Sequence, residues 1–194
     1  MKRATSGKRK RTSPIDKLEP VEAQEVLRSL LRSHPELIKE AKRIARSLIA
    51  DTSFEAIAEE VQWNLEEPDL DDLNSRAGRH RWGYVDPTDA AYEILREAIE
   101  PTIQEMRRQI ELGLEREALE TCKGLILGLY RVRARESDGC LAWAPDFSEN
   151  TAEEILREWI GNRKKTGKKP SFPQSFIDEH LPEWKDLMDR ILQG

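Results

Sequence analysis

The feature that most constrains the fold is the spacing of apolar residues between Asp86 and Arg135. Apolar side chains recur there at intervals of three and four residues, which places them on one face of an α-helix. Gly113 divides the stretch, and glycine is common just beyond a helix C-terminus. The stretch therefore predicts two long antiparallel helices joined at Gly113. Pro101 lies inside the first helix, but the apolar pattern continues in phase, so we expect a kink there rather than an end.

The same spacing recurs in shorter segments elsewhere in the chain. These segments cover residues 20–33, 37–49, 54–65, 152–160 and 172–192. Glu, Arg, Leu, Ile and Ala are abundant, whereas Val, Thr and Tyr are few, and this composition favours helix over sheet. The sequence therefore predicts an all-α fold built from antiparallel helical hairpins. A solenoid-like, repeat-like stacking of the hairpins is an open alternative, although no fixed-period repeat occurs in the sequence.

Charge is distributed unevenly along the chain. Residues 1–18 hold seven basic side chains and one acid, Asp16, so they carry +6, whereas the whole chain carries −5. This polar segment cannot bury enough apolar surface to offset the entropy of ordering, and we expect a disordered basic tail. We predict a helical domain over residues 19–162, then a basic linker and a C-terminal helical hairpin over residues 163–194. Whether this hairpin docks on its own chain or on another subunit is left open.

The strongest cationic feature is a run of four bases in the tail, namely Lys8, Arg9, Lys10 and Arg11. Such runs are typical of nucleic-acid-binding patches and of nuclear import signals. The alternative is a tail that binds nothing specific. Because the remainder of the chain is acidic, a nucleic-acid role is predicted through this tail, helped by the basic residues of the linker at 163–169.

A stripe of small residues in the second long helix is a candidate protein-binding surface. Thr121, Gly124 and Gly128 lie at intervals of three and four residues beside the apolar face. Glycine inside a helix is unfavourable by about 1 kcal/mol relative to alanine. The stripe therefore predicts the close approach of another helix, and a bound peptide helix is the functional alternative.

Residues 66–86 are interpreted as the longest internal connection. They contain a basic and aromatic run that includes Arg79, Arg81 and Trp82. This run could bind an anionic partner by stacking and ion pairing. The alternative is that Trp82 and Tyr84 anchor the loop to the core, because aromatic residues supply large buried areas.

The same connection holds an acidic triplet, Asp69, Asp71 and Asp72. Carboxylates are good ligands for divalent cations, but the triplet lacks the glycine and the distal glutamate of a calcium-binding loop. A solvated turn is therefore favoured over a metal site.

Motifs for catalysis are absent from the sequence. No nucleotide-binding glycine motif, nucleophile elbow or paired-histidine zinc motif occurs. The histidines, His34, His80 and His180, lie far apart. An enzyme would need a pocket that gathers His80 or His180 with carboxylates. We therefore expect no enzymatic activity, no cofactor and no bound metal.

Cysteine usage and hydropathy bear on the compartment. Cys122 and Cys140 are too few for a disulfide framework. No apolar run is long enough to cross a bilayer, and no apolar stretch follows the N-terminal bases as in a secretory signal. The chain is therefore expected in the cytoplasm, without a membrane partner.

Four short segments carry a resemblance to a known family. Gly83-Tyr84-Val85-Asp86, Leu112-Gly113-Leu114 and Ser137-Asp138-Gly139 are separated by predicted helices, and Pro35-Glu36-Leu37 opens an earlier one. Together they resemble the helical domain that accompanies SWIM-type zinc fingers in bacterial proteins, over about residues 20–160. The resemblance implies a helical, repeat-like domain with no assigned chemistry. The zinc finger itself is absent, so no DNA-binding role is carried over.

These observations favour a non-enzymatic helical scaffold or adaptor for protein–protein interaction. The alternative is a nucleic-acid-associated protein that binds through its basic N-terminal tail.

Overall fold

The computed structural model describes residues 14–49, 53–81, 83–133, 139–165, 167 and 171–193, and for Asp16 and residues 46–49 it describes the backbone alone. Over these residues the secondary structure is almost entirely helical, so the predicted all-α fold is confirmed. The solenoid-like alternative stays a prediction. Most of the predicted basic tail lies outside the described residues.

Contacts divide the chain into two units, Met1–Leu48 and Ile49–Gly194. The sequence predicts boundaries after residues 18 and 162 instead. The first unit contains a 3-10 turn at Pro14–Lys17, helix α1 at Pro20–Ser33, a second 3-10 turn at Pro35–Leu37 and all but the last residue of helix α2 at Ile38–Ile49. The turn at Pro35–Leu37 packs against α1.

Local sequence sets both ends of α1. Pro20 is its first residue, where a missing N–H is tolerated. The backbone N–H of Glu19 donates to Oε2 of Glu22 at 3.0 Å, which forms a capping box. The helix ends at Ser33, and Pro35 follows after one residue, which disfavours helical backbone at His34.

The second unit holds the remaining elements. In chain order these are α3 (Phe54–Glu66), α4 (Leu70–Arg76), β1 (Gly78–His80), β2 (Gly83–Val85), α5 (Pro87–Glu111), α6 (Glu115–Val132), α7 (Cys140–Trp143), α8 (Phe147–Lys165), α9 (Gln174–His180), a 3-10 turn (Pro182–Trp184) and α10 (Lys185–Gln193). The two strands form an antiparallel hairpin. Buried side chains from α3 to α10 form one hydrophobic core.

Helix α5 begins and continues as its sequence predicts. The carboxylate of Asp86 accepts a hydrogen bond from the backbone N–H of Thr88 at 2.8 Å, and Pro87 is the first helical residue. The helix runs without a break through Pro101 to Glu111, so the prediction that Pro101 does not end the helix is confirmed.

The turn between α5 and α6 is a Schellman motif. Gly113 has a φ of 70°, in the left-handed region where glycine is favoured. The N–H of Gly113 donates to the carbonyl of Ile110 at 3.0 Å, and the N–H of Leu114 donates to the carbonyl of Gln109 at 2.8 Å. These bonds satisfy the last carbonyls of α5, and α6 returns along it as predicted.

The most extensive helix contact joins α3 to α6 rather than the two arms of a hairpin. Residues Phe54 and Ile57 lie at Gly124, and residues Ala58 and Val61 lie one turn further along, at Gly128. Numbers therefore increase together on both sides of the contact, and the two helices run in the same direction.

The prediction that residues 66–86 form a loop is wrong, because they contain α4 and both strands. The acidic triplet is the start of α4. Oδ1 of Asp69 accepts from the backbone N–H groups of Asp71 and Asp72 at 2.8 and 3.1 Å. The N–H of Asp69 in turn donates to Asp72 at 3.1 Å. These carboxylates cap the N-terminus of α4, and their negative charge interacts favourably with the positive end of the helix dipole.

The C-terminal helices belong to the second unit and pack into its core. The ring of Phe176 in α9 packs edge-on against Phe54 of α3, with centroids 5.2 Å apart. Trp184 packs in the same manner against Tyr130 of α6 at 5.3 Å. Both Phe176 and Trp184 are buried, so these helices complete the core.

Candidate interaction surfaces

The glycines of the small-residue stripe are covered by α3. A Cβ atom built on Gly124 would lie 2.5 Å from Cβ of Ile57 and 2.9 Å from the carbonyl oxygen of Phe54. A Cβ atom on Gly128 would lie 2.5 Å from Cγ1 of Val61. The predicted close approach of a helix is confirmed, and that helix belongs to the same chain. The stripe is therefore not open to a peptide in this structure.

Thr121, the third member of the stripe, makes a buried polar contact instead. Its hydroxyl donates to Oε1 of Gln109 in α5 at 2.8 Å, and both residues are about 2% exposed. Nε2 of Gln109 donates to Glu105 at 3.2 Å. Buried polar groups are costly unless they are hydrogen-bonded, so this pair fixes the register of α5 against α6.

The β1–β2 hairpin carries the predicted basic and aromatic run. Arg79 lies directly opposite Tyr84 on the neighbouring strand, and both side chains are exposed, as is Arg81. Tyr84 is 69% exposed, so it does not anchor the segment to the core. Trp82 lies outside the described residues.

The bases Lys8, Arg9, Lys10 and Arg11 of the predicted nucleic-acid-binding run also lie outside the described residues.

The first unit presents apolar side chains to solvent. Val26, Leu27 and Leu30 of α1 are 45–48% exposed, and no residue of this helix is buried. Ile38 and Ile44 of α2 are 40% and 46% exposed. Apolar residues repeat at helical spacing on both helices, so each helix has an apolar face with several half-exposed side chains.

The outward face of α3 combines an exposed tryptophan with carboxylates. Trp63 is 62% exposed. Glu59 and Glu60 precede it by four and three residues, Glu66 and Glu67 follow it by three and four, and all four are exposed. Residues at these spacings share one helix face. We call this set the Trp63 face.

The apolar stripe of α3 does not reveal the Trp63 face, because Trp63 lies on the opposite side of the helix. A signal for it was present, since residues 47–75 contain nine acidic residues and no Lys, Arg or His. Trp63 lies at the centre of this run, so the carboxylates around it have no basic residue nearby in sequence.

Groups with chemical reactivity are dispersed among the described residues. His80 makes a 2.7 Å hydrogen bond between its Nε2 and the carbonyl of Arg76. The ring of His180 packs against both Phe54 and Phe176, with centroids 5.2 and 5.0 Å away. Within this part of the chain no set of three or more His, Cys, Asp or Glu side chains is placed to hold a metal ion.

Both cysteines are buried. Burial raises the pKa of the Cys122 thiol, and the nearby Glu158 carboxylate adds to the effect. Burial also raises the pKa of the Cys140 thiol, with further contributions from Asp72 and Asp69. Because the thiolate is the nucleophile, neither environment favours a reactive cysteine.

None of the helices in the described ranges combines the length and the apolar character needed to cross a bilayer.

Comparisons with protein-family models, with curated proteins and with solved structures find no match to this chain.

Proposed function

We propose that this protein is a non-enzymatic helical scaffold or adaptor that binds a protein partner. The observation that supports the proposal is the pair of apolar faces on α1 and α2, whose side chains are 40–48% exposed at Val26, Leu27, Leu30, Ile38 and Ile44. Burial of apolar surface contributes about 25 cal/mol per Å². A helical partner that covers these faces would therefore gain stabilisation that the first unit does not obtain from its own helices.

The length of α1 and α2 also favours binding to a partner. Isolated helices of about 12–15 residues are marginally stable in water, and α1 and α2 have 14 and 12 residues. An amphipathic helix commonly binds by laying its apolar face into a complementary groove. The proposal places the partner on these faces, and a cytoplasmic location is part of the same proposal.

The test compares two neighbouring substitutions in α1. Leu30→Glu introduces a charge on the apolar face, and Ser29→Glu introduces the same charge on the polar face. We expect the tagged full chain and the Ser29→Glu variant to retain the same stoichiometric protein from native lysate, and the Leu30→Glu variant to lose it. Equal recovery with Leu30→Glu, or no stoichiometric protein at all, would count against the proposal.

A second candidate function is supported by the composition of the tail. Residues 2–11 contain six Lys or Arg residues and no acid. A segment that neutralises several phosphates binds nucleic acid with an affinity that falls steeply with salt. Deletion of residues 2–13 should therefore abolish a gel shift on duplex DNA or RNA, and an unchanged shift after the deletion would eliminate this candidate.

A further inference from the structure

The β1–β2 hairpin lies in a stretch of sequence that contains bases and no acid. Between Asp72 and Asp86 the chain has three arginines, one histidine and neither Asp nor Glu. The surrounding protein is acidic, because the chain carries −5 in total although residues 1–18 carry +6. The hairpin is therefore a local basic feature of the second unit.

Strand pairing divides the hairpin into two faces. Arg79 lies directly opposite Tyr84, and the side chains of such a cross-strand pair share one face of the sheet. Both side chains are exposed, Tyr84 to 69%. Successive side chains of a strand alternate between faces, so His80 and Val85, which are half-buried, belong to the second face.

The second face attaches the hairpin to the protein. Nε2 of His80 and the carbonyl oxygen of Arg76 form a hydrogen bond of 2.7 Å. Val85 and Ala77 pack against the hydrophobic core. Because one face is held in this way, the face that carries Arg79 is presented to solvent without any rearrangement of the backbone.

The three arginines of this stretch differ in their contacts. Arg76, just before the hairpin, forms an ion pair with Glu97 of α5. The guanidinium groups of Arg79 and Arg81 form no ion pair with a carboxylate of the described residues. Arg81 lies in the turn that follows β1 and is exposed. We call Arg79, Arg81 and Tyr84 the hairpin face.

The side chains of the hairpin face determine which partner could cover it. An arginine has five N–H donors and no acceptor, and a tyrosine hydroxyl can donate as well. A cationic partner would be repelled, and an apolar partner would remove the guanidinium groups from water without compensation. A carboxylate gains most, because it is charged oppositely and accepts two parallel hydrogen bonds from one guanidinium.

Carboxylates near the base of the hairpin limit the length of an anionic partner. The hydrogen bond to Glu97 raises the pKa of Arg76, and the charges of Glu93 and Asp72 add to this effect. Asp86 follows directly after β2. A long polyanion that extends past the arginines would meet these negative charges and be repelled, whereas a short anionic segment would not reach them.

We propose that the hairpin face binds a short acidic segment of a partner protein. Carboxylates of the segment pair with the guanidinium groups of Arg79 and Arg81, and the hydroxyl of Tyr84 donates to the same segment. Arg81 follows Arg79 by two residues, which is about 7 Å in extended chain. Alternate residues of an extended segment have the same spacing and share one face, so acids at positions i and i+2 fit the hairpin face.

This inference goes beyond the proposed function, because it concerns the second unit and uses no residue of α1 or α2. The two proposals can therefore fail separately. The Leu30→Glu variant should still bind an acidic peptide, since its hairpin face is unchanged. The hairpin variants, in turn, should retain a lysate protein that is held by the apolar faces of α1 and α2.

The experiment titrates the protein into a fluorescein-labelled peptide in which Asp alternates with Ser, and follows fluorescence anisotropy. Every titration uses the full chain with the six bases of residues 2–11 replaced by Gln, because those bases would also attract the probe. Arg79→Gln with Arg81→Gln should weaken binding about fivefold, because two exposed ion pairs are lost. Tyr84→Phe should weaken it about twofold, because one hydrogen bond is lost. Binding should also weaken at higher salt.

The chain offers a matched control for the loss of charge. Arg116 and Arg190 are exposed arginines on α6 and α10, so Arg116→Gln with Arg190→Gln changes the net charge equally at other surfaces. A peptide with Asn in place of Asp controls for contacts that do not depend on charge. Thermal unfolding of each variant checks that the fold is retained, and Tyr84→Phe is the variant that disturbs the hairpin least.

Selective weakening in the two hairpin variants supports the proposal. Equal weakening in the charge control would show a general attraction between opposite charges and would overturn it, as would unchanged binding in Arg79→Gln with Arg81→Gln, or no binding of the acidic peptide at all. The same titrations with a fluorescein-labelled single-stranded RNA test a nucleic-acid partner. Binding to RNA that is tighter than binding to the peptide, and that is lost in the same variant, would overturn the choice of a protein segment.

Discussion

Gly124 and Gly128 are required by the distance between two helix backbones. A Cβ atom added to Gly124 would lie 2.9 Å from a backbone carbonyl oxygen of α3, and one added to Gly128 would lie 3.0 Å from another. A flexible side chain could move away from an added methyl group, but a backbone carbonyl can move only with its helix. The two glycines therefore set the separation of α3 and α6.

Substitution of either glycine should separate these helices. Gly124→Ala is expected to destabilise the fold by about 1–3 kcal/mol through overpacking. Gly161 lies inside α8 with nothing within 4 Å of an added Cβ, so Gly161→Ala should stabilise by about 0.5–1 kcal/mol. Urea unfolding of both variants measures the difference. Similar effects of the two substitutions would contradict the close contact.

The buried thiols give a second prediction at this scale. Cys122 and Cys140 are at most 1% exposed, and burial raises the pKa of both thiols. Both should react with a thiol-specific disulfide reagent at neutral pH far more slowly in the native protein than in urea. The absorbance of the released chromophore measures the rates. Rapid labelling of either cysteine before unfolding would be inconsistent with the buried site.

The C-terminal helices act as part of the core rather than as an appendage. Phe176 contacts the rings of Phe54 and Phe172, with centroids 5.2 and 5.7 Å away. The N–H of Glu183 donates to the hydroxyl of Tyr130 at 3.4 Å, which ties the turn before α10 to α6. The C-terminal segment thereby contacts both α3, at Phe54, and α6, at Tyr130.

Removal of one ring tests this docking. Phe176→Ala should destabilise the protein by about 3–5 kcal/mol, as typical for a buried aromatic residue. Trp143→Ala, at an exposed site, should change stability by at most about 0.5 kcal/mol. Thermal and urea unfolding compare the two. A Phe176→Ala variant as stable as the parent would mean that α9 does not belong to the core.

The helices of the first unit should depend on a covering partner. A peptide of residues 14–49 is expected to be largely non-helical in water, because helices of this length are marginal without packing. It should become helical in trifluoroethanol, which induces helix in competent sequences. Far-UV circular dichroism measures both states. A fully helical peptide in water at low concentration would weaken the argument for a missing partner.

The elements that the sequence predicted well are those with long periodic patterns. The α5–α6 hairpin was visible because its pattern extends through Pro101 and because Gly113 marks its turn. Residues 66–86 were misjudged because α4 has seven residues and each strand has three, which is too short for a periodicity to develop. The aspartate cap of α4 was seen only as an acidic cluster.

Contacts between distant residues could not be predicted from local pattern. The glycine stripe predicted a close helix but not which one, because the contact between Ile57 and Gly124 joins positions far apart in sequence. The Trp63 face was missed for a different reason. It lies on the polar side of its helix, where side chains are normally solvated and the apolar periodicity carries no information about them.

At the scale of the whole molecule, the second unit carries a complete core. Its buried residues extend from Ile57 to Ile191. A fragment of residues 53–194 is therefore expected to fold alone, with a cooperative thermal transition and a structured near-ultraviolet circular dichroism spectrum. A broad transition with no near-ultraviolet signal would indicate a molten state and would contradict a self-sufficient core.

The absence of bases from residues 47–75 also determines which analytical reagents can detect α3. Trypsin cleaves after Lys and Arg, so digestion releases the 30 residues from Ser47 to Arg76 as one acidic peptide that contains all of α3. Amine-directed cross-linkers have no lysine to attach to anywhere in that peptide. A cross-linking map based on lysine would therefore contain no contact from this peptide, and carbodiimide coupling through its carboxylates is the chemistry that can report one.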